Sequence, residues 1–189
     1  MTLVAFIRHA ETDWNRAKRI QGHTDIPLNA TGRASLEGRA LPEALTGMQC
    51  YSSPLLRCRE TAALLGFPDA LIEPGLKEMC WGSWEGSRLA DLRADLGTAM
   101  ADNESRGLDF RPPGGESPRE VAARVRVWLA GLSVPALAVT HRGVIRAIVS
   151  MACDWDMRSK LPVRLDWGAF HLFRTDRTGQ PIPVALNLR

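Results

Sequence analysis

The chain has 189 residues, 45% of them hydrophobic and 24% charged, with a formal net charge of only +3. That length suits one sizeable domain over 1–189 and is short for two. The charges form no block of one sign and no apolar run approaches the roughly 20 residues of a membrane span, so neither nucleic acid nor a membrane is an expected partner.

Met1-Thr2 runs straight into Leu3-Val4-Ala5-Phe6-Ile7, a brief, branched, uncharged run that reads as a buried strand. No room precedes it for a charged leader and a cleavage site, so the expected compartment is the cytoplasm. The strand ends at Arg8-His9. There a planar fork that matches phosphate oxygens stands beside a nitrogen able to attack phosphorus. The polar segment 11–31 follows, carrying Asn15, Gln21 and Gly22 and lacking helical periodicity over most of its length. A helix is expected over 31–41, interrupted by Pro42. Residues 48–52 form a second strand. Ser53-Pro54 then reads as an N-cap and N1 proline for a helix over 55–65, with Arg57 in its first turn and Gly66 as its stop.

Residues 70–73 form a short third strand. Segment 76–86 holds Glu78, Trp81 and Trp84 and reads as a functional loop. Leu89, Leu92 and Leu96 place a helix over 87–96. Segment 98–115 is polar and rich in proline and glycine, so 87–115 is expected to be a small lid or cap. Ser117-Pro118-Arg119-Glu120 is a capping box with proline at N1, and its helix shows Val121, Val125, Trp128, Leu129 and Leu132 on one face. A buried strand over 136–140 ends at His141, and a helix over 143–153 follows. Antiparallel strands over 168–173 and 182–188 close the chain. The four cysteines have no ligand spacing, so neither a disulfide framework nor a zinc site is expected.

Strands that alternate with helices indicate an α/β fold. If the strands ending in His9 and His141 lie centrally and parallel, both imidazoles stand at one sheet edge, where such folds bind ligands. Arg57 reaches that edge from another strand-to-helix junction. The helix starts after Ser53 and after His141 would add backbone N–H groups suited to an anion.

These residues lie in blocks that resemble the histidine phosphatase superfamily, also called phosphoglycerate mutase-like. Arg8-His9-Ala10-Glu11-Thr12 with Asn15 is similar to its RHGET…N signature. Gln21-Gly22 and Asp25-Ile26-Pro27-Leu28 match the QG and D-x-P-L that follow. Ser52 to Ala62 resembles SSPLxRAxxTA, and Leu76 to Gly86 resembles LxExxFGxWEG. Gly114-Gly115-Glu116-Ser117 matches GGES, and Thr140 to Arg146 matches SHGGVIR. Ala10 and Arg142 stand where the pattern has glycine.

The resemblance implies a three-layer α/β/α sandwich around a mostly parallel sheet. It implies His9 as a nucleophile that becomes phosphohistidine, Arg8, Arg57 and His141 holding the phosphoryl oxygens, and Glu78 as general acid and then base. Asn15, Gln21 and Gly22 would line the pocket, and Arg142 would contact either substrate or solvent. No metal or other cofactor is implied. The expected activity is metal-independent hydrolysis of a small phosphorylated metabolite, with the branch that includes α-ribazole phosphatase as the nearest likeness. Mutases of the family carry a larger cap than 87–115 provides. A cofactor-dependent phosphoglycerate mutase is the alternative, and a non-catalytic phospholigand-binding protein is the reading from another class.

Overall fold

The structure is a computed structural model that describes all residues from 1 to 189. A six-stranded sheet has the order β3-β2-β4-β1-β5-β6. Its strands are β1 (Thr2–Arg8), β2 (Gln49–Ser52), β3 (Leu71–Ile72), β4 (Ala136–Thr140), β5 (Phe170–Thr175) and β6 (Pro181–Leu188). The first four run parallel, while β5 pairs antiparallel with β1 and with β6. The helices are α1 (Asp13–Arg16), α2 (Ala30–Ala34), α3 (Leu56–Leu64), α4 (Leu89–Leu96), α5 (Thr98–Ser105), α6 (Pro118–Gly131) and α7 (Arg142–Cys153).

Alternation along the central strands divides the core into two layers. Val4 and Phe6 of β1 and Ala136 and Ala138 of β4 face one side, packing with Val121, Val125 and Leu129 of α6 and Ile145 and Ile148 of α7. Ala5, Ile7, Leu137 and Val139 face the other, with Leu36, Cys58 and Ala62. Successive strand residues point to opposite faces, so two central strands buried on both faces need unbroken apolar runs. Their sequences supply them. The sheet is thus the middle of three layers, as the resemblance implied.

Several local expectations change. The helix expected over 31–41 is only α2, capped by the Asn29 side chain. Gly32 packs so closely on the Glu11 carbonyl that a Cβ would lie 2.2 Å from it, and Gly38 has φ +65, which no right-handed helix continues through. Ser53 does not cap α3. Its N-cap is Leu55 in extended conformation, and the Asp25 carboxylate accepts the Leu56 N–H at 2.7 Å. Part of the polar segment 11–31 is helical after all, because Thr12 and Asn15 form a reciprocal capping box on α1. Segment 98–115 is less irregular than its composition suggests, for it contains α5 and a 3-10 turn, Gly107–Asp109. Helix α6 starts on its capping box as expected.

Phe6 is fully buried and makes edge-to-face contacts with Phe173 (5.8 Å between centroids) and Trp128 (6.2 Å). It joins β1 to the α6 layer immediately before Arg8 and His9. Phe6→Ala is expected to lower stability by about 3–5 kcal/mol, read from the midpoint of urea unfolding. A loss below about 1 kcal/mol would show that this layer repacks around the gap.

Candidate active site

The β1–β4 register pairs Arg8 with Thr140, and the His9 N–H donates to the Thr140 carbonyl at 2.9 Å. The next residue on each strand is a histidine. His9 and His141 therefore stand side by side, ring centroids 5.2 Å apart, where both strands leave the sheet. His9 Nδ1 lies 2.7 Å from the Ala10 carbonyl. A carbonyl can only accept, so Nδ1 carries the proton and Nε2 keeps its lone pair. The Ala10 N–H is already given to Thr61 Oγ1 at 3.1 Å.

His9 forms part of the wall of a cavity of about 680 Å³, together with Arg8, Asn15, Gln21, Gly22, Arg57, Glu78 and Arg142. His141 is not in that wall. It is wholly buried behind His9, with Nε2 2.8 Å from Ser53 Oγ and 3.3 Å from Cys58 Sγ. The structure thus gathers all nine expected residues at one sheet edge, eight of them on the cavity surface.

Arg57 is fully buried, yet no carboxylate holds it. It donates to the Gly22 carbonyl at 2.8 Å and the Thr24 carbonyl at 2.9 Å. Those carbonyls are presented by a tight turn at Gly22, φ +52, where a Cβ would meet Glu85 Oε1 at 2.0 Å. Glu85 ties the turn together by accepting from the His23 and Thr24 amides and the Thr24 hydroxyl. Burial opposes its ionisation, but these hydrogen bonds outweigh burial and hold the carboxyl below its usual value. Arg8 Nε has no partner within the protein, nor has Gln21 Oε1. Burial is the main reason that Arg8 is less basic than usual; Glu78 opposes the shift, and Arg142 and Arg57 add to it.

Glu78 sits against the N-terminus of α7. Its Oε1 accepts from the Met79 amide at 2.9 Å, and Oε2 accepts from Gly143 N at 3.3 Å. Gly143 leaves this carboxylate its room, since a Cβ there would stand 2.3 Å from Oε1 and push the side chain aside. The Glu78 carbonyl is gripped by Arg124 and by His23 Nε2 at 2.8 Å. Glu116 in turn holds Arg124 and the Cys80 amide. Of the two helix starts expected to offer N–H groups, that of α7 faces the site, whereas that of α3 is occupied by Asp25. Asn15 spends its side-chain oxygen on the Thr12 amide, at 3.1 Å. Arg142 is exposed, its guanidinium 4.8 Å above the Trp167 ring at the cavity mouth.

Sequence reasoning took Ser53 only as a helix cap and did not single out Cys58, Glu85, Glu116 or Arg124. Ser53, Glu85 and Glu116 lay inside quoted blocks, and Cys58 stood where the block has alanine. Arg124 carried no signal, being one arginine on an amphipathic helix. No group of three or more His, Cys, Asp or Glu side chains is placed to hold a metal ion. No helix is long and apolar enough to cross a membrane.

Burial, then Arg8 and Arg57, push His9 well below the ordinary histidine value, against the opposing bond to Ala10. Burial, then Arg57, His9 and Arg8, do the same to His141. Below about pH 6.5 the unfolded chain binds protons at these two positions that the folded chain refuses, so stability falls as pH falls. Each such proton contributes about 1.4 kcal/mol per pH unit. The melting temperature is expected to drop between about pH 6.5 and 5, and His9→Asn should flatten the drop. An unchanged slope in that variant would mean that His9 is not held neutral.

Comparison with known proteins accounts for this geometry. The profile of the histidine phosphatase superfamily (branch 1) matches residues 4–187. The 2,3-bisphosphoglycerate-dependent phosphoglycerate mutase 2 of Gloeobacter violaceus is 32% identical over 165 residues, 79% of this chain and 74% of its own. The glucosyl-3-phosphoglycerate phosphatase of Mycobacterium tuberculosis is 33% identical over 165 residues, 77% of this chain and 72% of its own. Among solved structures, a mycobacterial glucosyl-3-phosphoglycerate phosphatase complexed with VO3 superposes with a TM-score of 0.82 at 25% identity, covering 100% of both chains. The TTHB049 protein of Thermus thermophilus gives 0.76 at 34% identity over 99% of both chains. With nearly its whole length matched and its two histidines and two arginines at the same sheet edge, the chain belongs to the histidine phosphatase superfamily, branch 1.

Proposed function

We propose that this protein is a metal-independent phosphatase that hydrolyses small phosphomonoesters through a phosphohistidine on His9, acting on a phosphorylated metabolite in the cytoplasm. The observation that carries the reading is His9 with its Nδ1 tied to the Ala10 carbonyl and Nε2 left free, beside an Arg8 whose Nε has no protein partner. A free nitrogen lone pair and an unmet guanidinium donor at one point suit the attack of a nucleophile on an arginine-bound phosphoryl group.

In the first step His9 Nε2 attacks phosphorus in line with the ester oxygen. The N–P bond forms, the P–O bond to the alcohol breaks, and the leaving oxygen takes the proton of the Glu78 carboxylic acid. In the second step water attacks the phosphohistidine, Glu78 takes a proton from it, the N–P bond breaks and inorganic phosphate departs. Arg8 and Arg57 spread the charge on the phosphoryl oxygens, and little covalent work is asked of the protein beyond His9. His141 stands behind His9, outside the pocket wall and with Nε2 on Ser53 Oγ, so it supports the His9 ring, whereas the resemblance gave it a share of the phosphoryl oxygens. Asn15, Gln21 and Gly22 complete the pocket wall. A second reading, phosphoglycerate mutase, draws on relatives so named. Conversion of 3-phosphoglycerate to its 2-phospho isomer, faster than phosphate release, would favour it.

Two outcomes are expected. Rapid quenching with a substrate labelled in its phosphoryl group should give an acid-labile phosphoenzyme, absent from folded His9→Ala. Label on any other residue would remove His9 as nucleophile. Glu78→Gln keeps the size of the side chain but has no proton to deliver, and its NH2 replaces one of the two oxygens that accept from Met79 and Gly143. For alkyl phosphates kcat/KM should fall by about 10²–10⁴-fold, and far less for p-nitrophenyl phosphate, whose phenolate leaves without help. The comparison uses kcat/KM because dephosphorylation is common to all substrates. Equal losses would assign the proton to another group, with Glu11, which also lines the cavity, next in line.

A further inference from the structure

Glu78 lines two cavities. Beyond the one that holds His9 lies a second, of about 690 Å³, which shares Glu78, Trp81 and Arg142 with the first. Its walls come from α4, α5, the turn that follows them, and the start of α7. A general acid must stand beside the leaving oxygen, so an alcohol attached to that oxygen extends past Glu78. The second cavity is the space beyond it.

The chemistry of that space is unbalanced. Arg142, Arg146 and Arg158 line it. Its salt bridges are Arg93 with Glu104 at 2.7 Å and a loose Arg158–Asp156 contact at 3.9 Å, and neither involves Arg142 or Arg146. Those two guanidiniums are held by aromatic rings instead, Arg142 over Trp167 at 4.8 Å and Arg146 over Trp155 at 4.9 Å. Stacking fixes a guanidinium plane while leaving its N–H edge free for a carboxylate or phosphate. Arg146 is less basic than usual because of burial and then because of Arg142, with no carboxylate acting on it. Trp81 and Phe110, 5.5 Å apart edge to face, and Met157 supply an apolar wall.

We propose that the second cavity is the leaving-group subsite, built for an alcohol of sugar or nucleoside size that carries a second anionic group, received by Arg142, Arg146 and Arg158. The volume argues for size, since clefts of about 300–1,000 Å³ take ligands far larger than a three-carbon acid. The stacked, unpaired arginines argue for the charge. This subsite rests on the phosphatase reading, because it takes Glu78 to face the leaving oxygen.

The test compares 6-phosphogluconate with glucitol 6-phosphate, two open chains that differ in a carboxylate against a hydroxymethyl group at the end remote from the phosphate. Fructose 1,6-bisphosphate serves as the probe with a second phosphate, and p-nitrophenyl phosphate reports the phosphoryl site alone. The wild type should prefer 6-phosphogluconate to glucitol 6-phosphate by about tenfold or more in kcat/KM, the worth of one charge-assisted contact. Arg146→Met should reduce that ratio towards one, and Arg146→Lys should restore part of it. Arg158→Met, at an exposed position, gives the same readout without disturbing the core. A preference for fructose 1,6-bisphosphate alone would make the distal group a phosphate. Equal rates on both sugar esters, with p-nitrophenyl phosphate hydrolysed, would overturn the subsite and leave the phosphatase intact. No hydrolysis of any ester would overturn the phosphatase. Calorimetric binding of the same two sugar esters to His9→Ala then decides the subsite without turnover, with equal affinities overturning it.

Discussion

The parallel pairing of β1 with β4 is the constraint on which the site depends. Each strand leaves the ladder at a histidine, and the register Arg8 to Thr140 sets those histidines beside one another. Both strands are central, both their faces are covered by packed layers, and both rings are buried. In that setting the charged imidazolium is disfavoured twice, by lost hydration and by the nearby arginines. The same packing that stabilises the fold therefore keeps His9 in the form that has a lone pair to give.

The arginines stand in an opposite situation. Arg57 is as buried as any leucine in the core, yet its charge is met by carbonyl dipoles rather than by a carboxylate. Arg8 is less well satisfied still. Arg8, Arg57 and Arg142 repel one another, with Glu78 offsetting only part of the effect on Arg8, and an anion between them would relieve that repulsion and regain hydrogen bonds. The site is thus preorganised for an anionic group, and the cost of its assembly is met by folding rather than during binding. Any anion held there should stabilise the folded state by mass action.

A ring of carboxylates outside the pocket maintains this arrangement. Glu85 ties down the turn that presents the Gly22 and Thr24 carbonyls to Arg57. Glu116, through Arg124, fixes the backbone of Glu78. Each carboxylate acts on peptide groups, so the groups facing the pocket are placed by backbone geometry as much as by their own rotamers. Gly22 and Gly143 leave room for carboxylate oxygens at distances a methyl group could not tolerate.

The buried strands were legible because a two-face-buried strand must be an unbroken apolar run, and helix α6 was legible because its capping box and apolar stripe are local. Arg8, His9, Arg57 and His141 were legible as polar groups at strand ends, whereas Asn15, Gln21, Gly22, Glu78 and Arg142 were given roles only through the family resemblance. Local pattern misjudged 31–41, where Gly38 adopts φ +65, and missed the helix in 98–115, whose short turns are set by packing rather than by periodicity. Tertiary structure alone decided that Arg57 is held by carbonyls, that His141 stands behind His9 instead of in the wall, and that Arg142 lies on Trp167. It alone joined the cavity at His9 to the one beyond Glu78. Periodicity and capping act between neighbours in the chain and can be read there. The distance between a guanidinium and the partner it lacks depends on segments far apart in sequence, and exists only once the sheet has brought them to one edge.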